Sequence, residues 1–208
     1  MKSKKLISAI LAGAMALSIA GCSSTSKKYE KALKDLDYEV MEEFDQDDVE
    51  DDIEDGLILT TKDEKDIKKI CKDSYLDGVK AKNVASIFFG GRVEDGSMFV
   101  VYSITFKDKD SAAKTFDNFI EGLEDQEDRF KDWYGKDAVK SDSDDDYFAM
   151  ALEEYSDFNY YEIFMDDSKT ITMVIAVITD DDDIYDEYQD FYEAIDRDCP
   201  VDLLKDHP

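Results

Sequence analysis

The chain has little histidine, proline, cysteine and tryptophan, and most of its charge is of one sign. Its 208 residues include one His, two Pro, three Cys and one Trp, with 25 Lys and Arg against 53 Asp and Glu. A single histidine excludes most metal sites and most acid–base catalysis that uses imidazole. The formal charge of −28 makes nucleic acid an unsuitable partner, because binding phosphates requires a basic surface.

Apolar residues are nevertheless abundant enough for a folded domain. Hydrophobic residues make up 43% of the chain and aromatic residues 12%, which is too hydrophobic for a disordered protein. The length is typical of one domain with a sizeable core.

The sequence lacks the common catalytic motifs. It has no Gly-x-Ser-x-Gly segment, no glycine-rich phosphate loop before a helix and no Cys-x-x-Cys pair. The only histidine, His207, is the penultimate residue and is poorly placed to activate a nucleophile. We therefore expect no enzyme, and the remaining enzymatic alternative is a hydrolase that uses two carboxylates.

The segment 1–21 has the pattern of an export signal. Lys2, Lys4 and Lys5 precede an uncharged apolar run, Leu6–Ala20. Such a run is short for a hydrocarbon layer of about 30 Å but suits the apolar core of a signal peptide. The run is followed by Gly21 and Cys22, which completes the segment LSIAGC.

Small residues directly before a cysteine resemble the lipobox of bacterial lipoproteins. The resemblance implies that the signal is cut before Cys22, whose thiol then carries a diacylglyceryl group. It predicts a palmitate-bearing lipoprotein held on the extracytoplasmic face of the cell membrane. A conventional secretory signal would not need the cysteine, and a transmembrane helix would need a longer run.

Cleavage would remove three lysines and no acids, which leaves 22 basic and 53 acidic residues and a charge of −31. An anionic membrane would repel such a chain, so the lipid, rather than the protein surface, would hold it at the bilayer. The segment 22–28 is polar, and we expect it to form a short tether before a domain at residues 29–208.

The other two cysteines, Cys71 and Cys199, form an even pair in an exported chain, which suggests a disulfide. The alternative is that each is a small buried side chain and that the two never meet.

Apolar spacing predicts an α+β domain. Three segments have helical spacing, β-branched and aromatic runs indicate strands, and Gly90-Gly91 and Asp95-Gly96 suggest turns. The predicted helices are Asp66–Leu76, Ser111–Leu123 and Asp183–Ile195, with a further helix starting near Tyr29. The predicted strands are Leu57–Thr61, Val84–Phe89, Met98–Phe106, Tyr147–Leu152, Phe158–Phe164 and Thr170–Ile178.

Two strand–helix units match at a constant offset along the chain, so that Phe106 aligns with Ile178 and Phe119 with Phe191. The match predicts a pseudo-repeat at 84–123 and 147–196. We therefore expect a mainly antiparallel sheet with helices packed on one face, either ferredoxin-like or made of two fused half-units.

Acidic runs at Asp45–Asp55, Asp142–Asp146 and Asp180–Asp183 are the candidates for a metal site. Asp142, Asp144 and Asp146 occupy the first, third and fifth positions of a calcium loop. The sixth position is Tyr147, where the loop needs glycine, and the residues that follow are typical of a strand. We expect no cofactor, with weak calcium association as the alternative, and interpret the acids mainly as a solvated surface.

These features favour a non-enzymatic, lipid-anchored module that binds a protein or glycan of the cell envelope. An acidic module that associates with divalent cations is the alternative. The tyrosines of the last helix, Tyr185, Tyr188 and Tyr192, have the spacing of core residues. An exposed sheet face or edge near Phe158–Phe164 is the predicted contact surface.

Overall fold

The computed structural model describes residues 24–41, 53–72, 76, 78–94, 96–154, 157–179 and 182–203. Several residues singled out above lie outside these ranges: residues 1–21, Cys22, residues 45–52 of the first acidic run, Asp95, Asp180, Asp181 and His207.

The described residues form one eight-stranded sheet and helices on both of its faces. The helices are α1 (Ser24–Asp35), α2 (Glu64–Ile70), α3 (Lys109–Tyr134) and α4 (Asp182–Ala194). The strands are β1 (Glu39–Val40), β2 (Leu57–Thr61), β3 (Val84–Glu94), β4 (Ser97–Phe106), β5 (Val139–Asp144), β6 (Tyr147–Glu154), β7 (Asp157–Asp167) and β8 (Thr170–Ile178). Short 3₁₀ helices span Ala81–Asn83 and Pro200–Leu203.

The strand order is β1-β2-β3-β4-β8-β7-β6-β5, and every neighbouring pair is antiparallel except β1 and β2. The predicted α+β class with a mainly antiparallel sheet is therefore confirmed. Because the strands are antiparallel, the sheet has two ends that can be named by their hairpin turns. The Gly96 end has the β3–β4 turn, and the Lys169 end has the β7–β8 turn.

Both faces of the sheet are buried. On the first face, called the α3 face, Val100 and Ile175 belong to a core that includes Ile67 of α2 and Phe116 of α3. On the opposite face, called the α4 face, Phe99 belongs to a second core, with residues of α1 and α4. The prediction that helices pack on one face is therefore wrong.

The face of the sheet on which each helix packs is the face that buries the last side chain of the strand before it. Phe106 at the end of β4 lies in the core of the α3 face, whereas Ile178 at the end of β8 lies in the core of the α4 face. Side chains alternate between faces along a strand, so the register of β4 against β8 decides this outcome. The offset between the two strand–helix units aligns Phe106 with Ile178, although the two side chains lie on opposite sides.

Gly90 and Gly91 lie inside β3 and not in a turn, which corrects the sequence-based interpretation. The turn is at Gly96, which has a φ of +97°. A Cβ atom on Gly90 would lie 2.1 Å from Cδ1 of the buried Leu33. The missing side chain therefore allows α1 to pack closely on the sheet.

Two helices are longer than the apolar spacing predicts. Helix α3 continues past Leu123 to Tyr134, and Gly135 with a φ of +95° follows its last residue. Helix α1 begins at Ser24, so residues 24–28 of the expected tether are helical. In this segment the amine of Lys28 donates a hydrogen bond to the carbonyl of Ile195. These residues are therefore part of the folded domain.

Helix α4 packs on the sheet as its apolar spacing predicts. Tyr188, Phe191 and Ile195 are fully buried together with strand residues of β8. The ring of Phe99 on β4 lies 5.3 Å from that of Phe191 and 5.7 Å from that of Tyr188, both in edge-on geometry. Such aromatic contacts add to the free energy gained from burial.

We predict that Phe191→Ala lowers the free energy of unfolding by about 3–5 kcal/mol, because it leaves a cavity between α4 and the sheet. Trp133→Ala is the matched control, since this side chain is 70% exposed, and it should cost less than about 1 kcal/mol. Urea unfolding of both variants measures the difference. Equal changes would contradict the packing of α4 described here.

Candidate functional site

A carboxylate is buried in the core of the α4 face. Tyr160, Glu162 and Phe164 are two residues apart along β7, so their side chains all lie on this face, and Glu162 is only 1% exposed. Burial disfavours the charged form and raises the pKa of Glu162 from 4.5 to about 7. An acid in this position is costly unless nearby groups compensate for its lost hydration.

Two side chains supply that compensation. Tyr192 of α4 donates a hydrogen bond to Oε2 of Glu162, and Nη2 of Arg197 donates one to Oε1 at 3.3 Å. The Arg197 guanidinium also lies 3.6 Å from the centroid of the Phe164 ring. These contacts hold the segment after α4 against β7 of the sheet.

A second carboxylate on the same strand joins α1 to this region. Asp166 accepts a hydrogen bond at Oδ1 from the hydroxyl of Tyr29 and one at Oδ2 from Thr172. Burial and the neighbouring carboxylate raise the pKa of Tyr29 above its ordinary value, so the phenol remains a donor. The contact fixes the N-terminal half of α1 over β7 and β8.

A third network joins α4 to the opposite end of α1. Glu187 accepts hydrogen bonds from Arg92 of β3 and from the hydroxyl of Tyr38, the latter at 2.8 Å. Arg92 also donates to Glu94 and to the carbonyl of Glu54. The guanidinium therefore connects three segments of the chain.

In all three networks both oxygens of the carboxylate accept hydrogen bonds from the protein itself. Glu162, Asp166 and Glu187 therefore stabilise the packing of α1, α4 and the C-terminal segment. A depression beside Tyr192 and Arg197 has a volume of about 470 Å³, is open to solvent and is lined mainly by polar side chains such as Gln189 and Glu193. This arrangement is typical of contacts that stabilise the fold and not of a binding cleft.

An exposed aromatic patch lies at the C-terminal end of α3. It consists of Phe130, Trp133 and Tyr134, with ring centroids of Phe130 and Trp133 6.3 Å apart and those of Phe130 and Tyr134 6.1 Å apart. Phe130 and Tyr134 also pack against the core of the α3 face. Trp133 lies beside this stripe and is 70% exposed.

The hydroxyl of Tyr134 donates to the carboxylate of Glu154 at 2.7 Å, which places the aromatic patch at the Gly96 end of the sheet. The nearby residues of α3 have charges of both signs, including Arg129, Lys131 and Asp132. A large exposed indole with mixed charges around it is a recurrent feature of protein-binding surfaces.

The acids of the proposed calcium loop form a β-hairpin. Asp142 and Asp144 lie on the edge strand β5, Asp146 is in the turn, and Tyr147 begins β6. Residues in extended strands cannot form the bent loop that wraps calcium. Within the described ranges, no three acidic, histidine or cysteine side chains are grouped so as to hold a metal ion.

The two remaining cysteines lie on opposite faces of the sheet. Cys71 packs against the core of the α3 face and Cys199 against that of the α4 face. Neither is part of a disulfide, because the sheet separates them. Burial raises the pKa of the Cys71 thiol to about 11, which disfavours the reactive thiolate.

The surface predicted near Phe158–Phe164 is not an exposed edge, since β7 lies between β6 and β8. Tyr188 and Tyr192 are buried, as the core interpretation of the helix tyrosines predicts, and Tyr185 is partly buried. Tyr160 of β7 is buried too, and its ring stacks on that of Tyr188. Sequence reasoning missed the roles of Glu162 and of Trp133. A signal for Glu162 was present, because it is an acid within an apolar strand.

Comparison of the chain with protein-family models, with curated proteins and with solved structures finds no match. Among the helices in the described part of the chain, none has the length and hydrophobicity required to cross a membrane.

We predict that the stabilising effect of Glu162 depends on pH. Its pKa is about 7 in the folded chain and near 4.5 when unfolded, so the folded state binds the proton more tightly. The contribution is therefore complete below about pH 4.5 and is lost as the pH rises to about 7. Relative to that of Glu162→Gln, the free energy of unfolding of the wild-type chain should fall by up to about 3 kcal/mol over this interval.

Urea unfolding at pH 5 and pH 8 tests the prediction. Glu193→Gln, which removes an exposed carboxylate of the neighbouring helix α4, is the matched control for a general effect of charge. If the free energy of unfolding of wild type rose with pH relative to that of Glu162→Gln, the prediction would be contradicted. The ion pair with Arg197 would then outweigh the cost of burying the charged carboxylate.

Proposed function

We propose that this chain is a lipid-anchored protein of the bacterial cell envelope and that its folded domain is a non-enzymatic binding module on the extracytoplasmic face of the membrane. The anchoring is supported by the segment LSIAGC, which ends at Cys22. The binding function is supported by one observation, the exposure of Trp133 at the end of α3.

The anchor and the domain are close together in the chain. Helix α1 begins at Ser24, directly after Cys22 and Ser23, and its Tyr29 and Leu33 are buried against the sheet. A diacylglyceryl group on Cys22 would therefore hold the domain next to the bilayer and not on a long flexible linker. With a mature charge of −31, such a chain needs the lipid to remain there.

The aromatic patch of Phe130, Trp133 and Tyr134 is the proposed contact surface. Packing does not explain why Trp133 is present, because most of its side chain remains in solvent. Exposed tryptophan is costly to hydrate and is enriched among the residues that dominate protein interfaces. The polar rim of Arg129, Lys131 and Asp132 gives the patch a mixed charge, unlike the strongly acidic chain as a whole.

These properties favour a protein partner within the envelope. An aromatic centre with a rim of both charges can exclude water and also form ion pairs of either sign. A glycan would use the ring by stacking but would gain little from the charged rim.

We predict that Cys22→Ala prevents lipidation and leaves an uncleaved precursor. The reason is chemical, since the thiol of Cys22 is the acceptor of the diacylglyceryl group and the signal for cleavage. Incorporation of labelled palmitate, with Cys71→Ala as the matched control, measures the effect. Label in the Cys22→Ala chain at the wild-type level would contradict the proposed anchor.

We predict that Trp133→Ala abolishes capture of the partner by the mature chain from solubilised envelope. Val40→Ala is the control, because Val40 is the other exposed large hydrophobic residue among those described. The same partner should also change the fluorescence of Trp133, the only tryptophan of the chain.

Equal capture by wild type and by Trp133→Ala would overturn the proposed contact surface. A change in Trp133 fluorescence with purified envelope glycan, but not with envelope proteins, would replace the protein partner with a glycan.

A further inference from the structure

Helix α3 presents an acidic stripe to solvent. The stripe consists of the exposed acids Asp110, Asp117, Glu121, Glu124, Asp125, Asp128 and Asp132. Successive residues of an α-helix are 100° apart, so these acids lie within about 100° of the helix circumference. Lys114 is the only basic residue in the same arc of α3, a helix that the structure describes throughout. The stripe extends over about 33 Å along the helix axis, because each residue adds 1.5 Å.

The chain itself does not neutralise the acidic stripe. None of its carboxylates forms an ion pair with a lysine or arginine of the described residues. Lys131 pairs instead with Glu127, which lies outside the stripe, and Arg129 donates to the backbone carbonyl of Asp125. Acids four residues apart, such as Glu121 and Asp125, repel each other along a helix. A partner with positive charge would therefore relieve a repulsion that the fold leaves in place.

Two features beside the acidic stripe distinguish α3 from other acidic surfaces, such as Asp186, Asp190 and Glu193 of α4. These features are Gly122 and the exposed Trp133, which are about three helical turns apart and so lie on the same side of α3. A Cβ atom on Gly122 would meet nothing within 4 Å, so packing within the described residues does not require glycine there. Glycine weakens a helix, but it lets another chain approach the backbone closely.

We propose that the outward side of α3, from Gly122 to Trp133, binds a lysine- or arginine-rich segment of the partner protein. This inference rests on the proposed function, whose partner it describes more closely. The indole of Trp133 contacts an apolar part of that segment, and the cations of the segment pair with the acidic stripe.

Charge complementarity separates this occupant from the alternatives. A second copy of the chain would bring two acidic stripes together, and an anionic lipid surface would be repelled in the same way. A neutral glycan would gain nothing from the stripe. The acids run along the helix and do not converge, and among the described residues no three acidic, histidine or cysteine side chains are grouped to hold a metal ion. A cationic polypeptide uses both the indole and the acids.

Binding of a basic peptide tests the inference. The probe is a synthetic peptide of lysine–serine repeats with one central leucine, and its counterpart has glutamate in place of each lysine. Each peptide is titrated against the purified mature chain at about 150 mM salt, and the anisotropy of a fluorescent label on the peptide gives the affinity. The lysine peptide should bind and, without its label, change the emission of Trp133, the only tryptophan of the chain. The glutamate peptide should do neither.

Two triple variants form a matched pair, because each neutralises two exposed aspartates and one exposed glutamate at the same helical spacing. The α3 triple is Glu121→Gln, Asp125→Asn and Asp128→Asn, and the α4 triple, on the opposite face of the sheet, is Asp186→Asn, Asp190→Asn and Glu193→Gln. The α3 triple should weaken binding of the lysine peptide about fivefold or more, and the α4 triple less than about twofold. Equal weakening by both triples would mean that binding follows net charge, and it would overturn the inference.

A second pair of variants tests the position of the peptide on α3. Gly122→Leu places a large side chain beside the acidic stripe, and Ala113→Leu does the same at an exposed position on the other side of the stripe. Gly122→Leu should weaken binding about threefold or more relative to Ala113→Leu, because it blocks close approach to the backbone. Equal affinities of these two variants, or unchanged emission of Trp133 with the lysine peptide bound, would overturn the inference.

Sedimentation of the mature chain alone tests the occupant. A monomer is expected, because the acidic stripes of two copies repel each other. A dimer that Trp133→Ala dissociates would assign this side of α3 to a second copy and would overturn the inference.

Capture from solubilised envelope separates failure of this inference from failure of the proposed function. If the α3 triple captures the partner at the wild-type level and Trp133→Ala does not, the proposed contact surface stands and the inference is overturned. If Trp133→Ala captures the partner at the wild-type level, the proposed contact surface itself fails. The peptide titration then decides by itself whether α3 binds a basic segment.

Discussion

The antiparallel pairing of β4 with β8 holds the two halves of the sheet together. Its register runs from Met98 opposite Val177 to Thr105 opposite Thr170, with Phe99 opposite Ala176. Both strands are apolar on successive positions, so both of their faces must be covered. A slip of one residue would turn the side chains of one strand to the wrong core, which makes this register the constraint on which both helix layers depend.

The two faces are covered in different ways. The α3 face is a mostly apolar core under the long helix α3 and the short helix α2, whereas the α4 face contains Glu162 and its partners Tyr192 and Arg197. Burying this carboxylate costs free energy, and the hydrogen bonds offset only part of the cost, as the raised pKa of Glu162 indicates. In return, the polar contacts define where α4 and the C-terminal segment lie on the sheet. We interpret these polar contacts as structural.

The sequence by itself determined the elements whose signal is local. Strands β2 and β8 match their predicted bounds, Leu57–Thr61 and Thr170–Ile178, and the buried face of α4 follows from residues three and four apart. Alternation and helical spacing arise from the geometry of one segment, so no distant contact is needed to predict them. The resemblance of the segment ending at Cys22 to a lipobox is local in the same sense.

Only the tertiary structure decided the features that depend on distant partners. The sequence predicts a turn at Gly90 and Gly91, but the structure places them in β3, where Leu33 of α1 packs on Gly90. The sequence also makes Asp142–Asp146 a candidate loop, but the structure pairs β5 with β6 in a hairpin. The faces taken by α3 and α4, and with them the separation of Cys71 from Cys199, depend on the register of β4 against β8. No local pattern encodes that register, because a strand that is apolar on both faces fits either side equally well.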